Sequence, residues 1–269
     1  MATKREDVVA ELERLTDPET LTETTALPRP KLFVPLGRGN TGKTMLLRWV
    51  AERANNAGRF PAIADADRTN QTLSGYFDGV ISPESADDLD MKEWLDALLE
   101  KQIESKMTVL LDLGGGDLVL KQHAAEMELV HFMHKHGVDV VAAHLIGPNL
   151  DDLAYLQSVE QGGTFAPERT ILVLNEGLIS GARSERGAFE PIVQHRIFRD
   201  VVARGAKVVR MPRLGCLHEV ENRRLSFAAA EAGQTKRELP PLGLTNRQRV
   251  AIWLRDMNAA FEPVADWLP

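Results

Sequence analysis

The 269-residue chain has a single cysteine, Cys216, so it can close no internal disulfide, and the absence of any CxxC pair removes the usual ligand pattern of a structural zinc site. No apolar run approaches the ~20 residues of a membrane span. Met1 to Pro28 carries seven acidic residues and no signal-type hydrophobic stretch. These absences point to a reducing, cytoplasmic setting. Aromatic residues make up only 6% of the chain, and an excess of positive charge is missing, the formal net charge being −7. An acidic total excludes a protein that coats nucleic acid with its whole surface, while leaving room for a local basic patch. Internal repeats and low-complexity tracts are also lacking.

What is present is an ordinary globular composition, 43% hydrophobic and 26% charged, in a chain long enough for one large α/β domain. Residues 1–30 read as an N-terminal arm and linker, with a short amphipathic stretch at Arg5 to Leu15 and a Thr/Pro-rich run to Pro28 and Pro30. Residues 31–269 read as the domain. Short apolar runs alternate there with longer helical patterns, the signature of successive βαβ units and a mostly parallel, twisted sheet with helices on both faces. Strands are expected near Leu32–Leu36, Phe60–Ala64, Thr108–Leu113, Asp139–Leu145, Thr170–Leu174 and Lys207–Met211. Helices are expected over Lys43–Asn55, Leu89–Ile103, Leu118–His136, Asn149–Gln161, Phe189–Ala203 and Leu217–Ala232. A last amphipathic helix, within Thr245–Asp266, has Thr245 as its expected N-cap and Ile252, Trp253, Met257, Phe261 and Val264 on its apolar face.

The strongest chemical signal follows the first strand, LFVPL. Gly37-Arg38-Gly39-Asn40-Thr41-Gly42-Lys43-Thr44 meets the pattern GxxxxGK[ST] and runs straight into a helix beginning at Met45. Glycines let such a loop curl its N–H groups inward at phosphate oxygens, and the helix N-terminus adds positive potential. Lys43 supplies a point charge for the terminal phosphates, and the Thr44 hydroxyl is a candidate magnesium ligand. A second metal-side carboxylate is needed. The run MTVLLDL delivers Asp112 at the end of an apolar strand, followed by Gly114, Gly115, Gly116 and Asp117.

The segment AIADADRTNQTLSGYF, residues 62–77, ends its strand with Asp65-Ala66-Asp67. With the phosphate loop, it resembles the ParA/MinD family of deviant Walker A ATPases, whose loop has the form GKGGxGKT and whose second strand ends in DxD. Arg38 stands where the family has its signature lysine, and Asn40 replaces a glycine. The resemblance implies a P-loop NTPase fold, ATP and Mg2+ as ligands, and slow hydrolysis stimulated by a partner or adaptor protein. It further implies an ATP-dependent homodimer in which Arg38 reaches the partner's phosphates and Asp67 positions the attacking water. Lys43 and Arg38 join Asp67 as the catalytic set. By the same resemblance Asn175, after the strand TILVLN, holds adenine, and Met211 and Pro212 pack on the base. Guanine-specific relatives place an aspartate where this chain has Leu178, which favours ATP over GTP. The branches that fit best are plasmid partition, plasmid stability and conjugal transfer.

Non-specific DNA binding in the partition branch implies a basic surface in the C-terminal half. Here Arg196, Arg199, Arg204, Lys207, Arg210 and Arg213 face Asp200 alone between residues 194 and 213. Such a patch reads phosphates and weakens with salt. The alternative is a solvated helix face. His123, His131, His134 and His136 are expected to be structural, since no carboxylate or cysteine completes a metal set. The terminal helix balances Arg247, Arg249 and Arg255 with Asp256, Glu262 and Asp266, which disfavours an anionic membrane. A metabolic P-loop enzyme, either a small-molecule kinase or a ligase of the dethiobiotin synthetase type, is the competing function. A metal-insertion carrier is disfavoured by the missing paired cysteines.

Overall fold

The computed structural model describes residues 29–67, 71–114, 118–162, 165–180, 185–236 and 238–269. Residues 1–28 of the expected N-terminal arm lie outside them, as do Gly115, Gly116 and Asp117.

Six strands form one sheet: β1 Lys31–Leu36, β2 Ala62–Ala66, β3 Val109–Leu113, β4 Asp139–Ile146, β5 Arg169–Asn175 and β6 Lys207–Met211. Their order is β2-β3-β1-β4-β5-β6 and every pairing is parallel. β1 is buried along its whole length, as a central parallel strand covered on both faces must be. Its side chains alternate between two cores. Phe33 packs with Leu110, Val141 and Ile171 on one face of the sheet, whereas Leu32, Val34 and Leu36 pack with Val109, Leu111 and Val140 on the other.

The first face is covered by α1 Lys43–Asn56 and by three C-terminal helices, α9 Leu217–Asn222, α10 Phe227–Ala232 and α11 Leu244–Phe261. The second is covered by α2 Asp88–Ser105, α3 Leu118–Glu126, α4 Leu129–Lys135 and α5 Asp151–Gln161. The short helices α6 Glu185–Ala188, α7 Glu190–Gln194 and α8 Arg196–Ala203 complete it toward β6. The expected α/β architecture, a parallel sheet between two helical layers, is therefore the observed one.

Three long helical patterns are each broken. Leu118–His136 divides at Glu128, which adopts a left-handed φ of 48°. Phe189–Ala203 begins at Glu190 and breaks once, at His195, whose backbone is extended. Leu217–Ala232 is interrupted by Arg224, φ 48°, and restarts where the Ser226 hydroxyl caps the Ala229 N–H. The second strand also sits two residues later than expected, at Ala62–Ala66, because Pro61 precedes the pairing and Phe60 is 80% exposed. Thr245 is not the cap of α11. Gly243 holds that position, and Val250, Trp253, Met257 and Phe261 bury the helix in the core.

Because β1 lies between β3 and β4, the chain leaves it in one direction to build β2 and β3, and later crosses to the other side for β4, β5 and β6. The carboxyl end of β1 is thus the point where the winding reverses, the place where open α/β sheets leave a crevice for ligands.

Candidate functional site

The loop from Gly37 to Thr44 fills that crevice. Gly37 has φ 148°, and a Cβ there would stand 2.8 Å from both the Leu145 carbonyl oxygen and Thr41 Oγ1. Gly42 has φ 97°, and a Cβ there would stand 2.7 Å from Asn175 Nδ2. Glycine is required at both positions, by backbone angle and by space. Inside the loop the Thr41 hydroxyl donates to the Arg38 carbonyl at 2.8 Å, and Lys43 Nζ donates to the carbonyls of Arg38, at 3.0 Å, and Gly37, at 3.3 Å. Lys43 is buried. Its ammonium is pushed below the usual lysine range by burial, while Asp112 and Asp67 pull it back.

Beside it, the Thr44 hydroxyl donates to Asp112 Oδ2 at 2.7 Å. Asp112 is 2% exposed, and its other carboxylate oxygen is buried with no hydrogen-bond partner among the described residues. Burial pushes this carboxyl up to about 6, against the Thr44 hydrogen bond, with the neighbouring Asp65 adding to the rise. An unpartnered buried oxygen next to a hydroxyl suits a hard divalent cation, which prefers oxygen ligands. Thr44 and Asp112 are the residues that would hold Mg2+.

Asp65 pairs in register with Asp112 across β2 and β3. Its role is local: one oxygen accepts from the Asp67 N–H and the other from the Leu73 N–H, each at 3.2 Å, tying together the two ends of the loop that leaves β2. Asp67 is thereby held over the end of β3. A Cβ on Gly114 would stand 3.4 Å from Asp67 Oδ1, an ordinary contact distance, so the two residues are neighbours across the ends of β2 and β3.

The hollow these residues share has a volume of about 660 Å3. Its floor is Gly39, Asn40, Gly42, Lys43, Thr44 and Met45. Asp67 stands at one side, and Asn175, Leu178 and Pro212 at the other. Arg213, ahead of α9, and His218 and Glu221, within it, also line the hollow, a contribution that carries no motif in the sequence. Met211, expected at the base, is fully buried in the core and not at the surface of the hollow. Trp253 of α11 donates its indole N–H to the Pro212 carbonyl at 2.9 Å and so braces that wall.

Arg38 does not point into its own hollow. Its guanidinium lies 3.4 Å from Asp151 and 3.5 Å from Asp152 at the start of α5, and Asp152 also accepts the Gly147 N–H. Nothing in the sequence marked those two aspartates as its holders.

Solved structures with a similar fold include the MinD cell division protein of Aquifex aeolicus, at 14% identity and a TM-score of 0.49, covering 84% of this chain and 97% of that one. A MinC:MinD cell division protein complex of the same organism aligns at 11% identity and a TM-score of 0.46, over 85% of this chain and 96% of that one. FtsY of Mycoplasma mycoides aligns at 18% and 0.37, over 55% and 52%. No family model matches the chain. No curated protein matches its sequence either. The chemistry of the site is accordingly read from its own residues.

The basic residues of the C-terminal half are divided in use. Arg204 bonds Glu160 at 2.7 Å and the Pro167 carbonyl, and Arg210 bonds Glu176 at 3.2 Å. Lys207 reaches the Pro263 carbonyl and lies over the Trp267 ring. Arg204 is therefore engaged by its neighbours, whereas Arg210 keeps one ion pair and a side chain 44% exposed. Arg196 and Arg199 remain exposed on α8, Arg196 alongside Asp200. A hollow of about 720 Å3 lies at the opposite edge of the sheet, where Arg29 and Arg169 close on Asp139 at the start of β4.

Proposed function

We propose that the chain binds and hydrolyses ATP with magnesium, and that the ATP-bound form pairs with a second copy as a ParA-type switch. One observation carries this reading: a glycine-shaped loop, the Lys43 ammonium, the Thr44–Asp112 pair and Asp67 converge on one hollow at the reversal point of the sheet. Phosphoryl transfer asks a protein for positioning and charge stabilisation more than for covalent chemistry. Here Lys43 offers the positive charge, Asp67 orients water, and Thr44 with Asp112 seats the metal, which neutralises phosphate charge when bound. Leu178 in the wall offers no carboxylate to the N–H edge of guanine, which supports adenine. The cargo we infer is a DNA-borne one, a plasmid or conjugal-transfer complex, with turnover stimulated by an adaptor protein.

Two measurements test the proposal. By calorimetry, Lys43→Ala is expected to lose detectable ATP binding; retained affinity would remove the site assignment. By size-exclusion chromatography, Asp67→Ala is expected to accumulate an ATP-dependent dimer, which moves with non-specific DNA if Arg196 and Arg199 contact phosphates. A monomer at saturating ATP would favour a metabolic enzyme instead.

A further inference from the structure

Asn175 ends β5, is 4% exposed and lines the hollow. Each polar atom of its carboxamide already has a partner within the protein. Nδ2 donates to the Thr41 carbonyl at 2.8 Å, across 134 residues of sequence, and Oδ1 accepts the Gly177 N–H at 2.9 Å. Thr41 is the residue the phosphate loop turns around: 3% exposed, it gives its hydroxyl to the Arg38 carbonyl on one side and its own carbonyl to Asn175 on the other. Gly42 follows immediately, and a side chain there would collide with the carboxamide.

We infer that Asn175 is a positioning residue for the phosphate loop, clamping Thr41 so that the loop is already shaped for phosphates before any ligand arrives. The inference rests on the nucleotide-binding reading of the site and goes beyond it, because it assigns Asn175 to the triphosphate end of the ligand rather than to the base. The physical reason is preorganisation. A loop of consecutive N–H donors binds an anion well only if those donors are held together beforehand, and the cost of ordering it is otherwise subtracted from affinity. β5 is a rigid central strand, so a side chain at its end fixes Thr41 against the frame of the sheet. The carboxamide suits this place: its N–H reaches a carbonyl while its oxygen holds the Gly177 turn, whereas a carboxylate has no donor and a hydroxyl would have to do both from one atom.

A ligand without a base decides the matter. Magnesium tripolyphosphate and magnesium ATP are titrated into wild type, Asn175→Ala, Asn175→Asp and Lys43→Ala. A clamp on the loop predicts that Asn175→Ala weakens both ligands by the same factor, ~10-fold for a lost buried hydrogen bond. Asn175→Asp retains the acceptor for Gly177 but sets a carboxylate against the Thr41 carbonyl, and is expected to weaken both at least as much. It also serves as the second variant if the alanine form fails to fold. If ATP weakens while tripolyphosphate is unchanged, Asn175 reads the base and the inference is overturned. Unchanged affinity for both ligands overturns it as well. If wild type binds neither ligand, it is the nucleotide reading that falls, and Lys43→Ala, which should lose both, separates that case.

Discussion

Glu52 lies on α1 two turns after Thr44, and its environment makes it a measurable property of the whole domain. One carboxylate oxygen accepts the Phe227 N–H at 2.8 Å and the Ala228 N–H at 3.4 Å at the start of α10, while the other is buried with no hydrogen-bond partner among the described residues. Arg48, one turn earlier, is 2% exposed and stacked between the rings of Tyr76, at 3.5 Å, and Phe227, at 4.7 Å. Burial pushes the Glu52 carboxyl from 4.5 up to about 7, outweighing the lowering by Arg48 and by the two N–H donors. Between those values the folded protein holds a proton that the unfolded chain has released, so stability falls as pH rises. The contribution is fully present below 4.5 and gone above about 7. Its size by linkage is on the order of 3 kcal/mol. Glu52→Gln keeps an acceptor for Phe227 and has no proton to lose. Its Tm is expected to depend less on pH than that of wild type between about pH 5 and 8, with the largest gain at the alkaline end. Parallel melting curves would mean that other groups set the dependence.

At the scale of elements, α11 joins the core to the wall of the hollow. Its indole bond from Trp253 to Pro212 sits beside a ring contact with Phe227, centroids 4.6 Å apart. Trp253→Phe keeps the ring and removes the bond. It is expected to lower stability by ~1 kcal/mol and, with Pro212 as the proposed base contact, to weaken ATP more than tripolyphosphate. Equal losses would place Pro212 outside the base contact. The apolar face of this helix was legible from the spacing of Trp253, Met257 and Phe261, but the spacing could not say whether sheet, partner or membrane would cover it. The broken helices show a related limit. Apolar periodicity runs across the break at Glu128 because Ala124 before it and Leu129 and Met133 after it all pack into the same core. A hydrophobic pattern records burial and is silent about a single left-handed residue. Two helix starts did carry readable signals, Pro191 in the first turn of α7 and Ser226 as the N-cap of α10. The phosphate loop was legible because its chemistry is local in sequence. The partnership of Asn175 with Thr41, or of Arg38 with Asp151, depends on strand order, which single-sequence spacing does not contain.

For the molecule as a whole, Arg38 is the residue that tests the proposed pairing of two chains, because it is held outside its own hollow. Lys43 already serves the chain's own hollow, and Arg38 is drawn aside to the start of α5, where its side chain stays 45% exposed between the exposed Asp151 and the buried Asp152. Asp152 is fixed by the Gly147 N–H and cannot follow the guanidinium outward, whereas Asp151 is 70% exposed and makes a weak, screened pair. In the proposed dimer, Arg38 would exchange these two carboxylate contacts for bidentate contacts to a second molecule's phosphates, for which a planar guanidinium is well shaped. Arg38→Ala is expected to bind ATP with near wild-type affinity and yet remain monomeric at saturating ATP by light scattering. Asp151→Asn, by loosening the resting contact, is expected to dimerise at a protein concentration ~2- to 3-fold lower than wild type, the scale of one surface ion pair. A dimer that forms with ATP in Arg38→Ala would show that pairing is driven from other residues, and that the arginine acts only within its own chain.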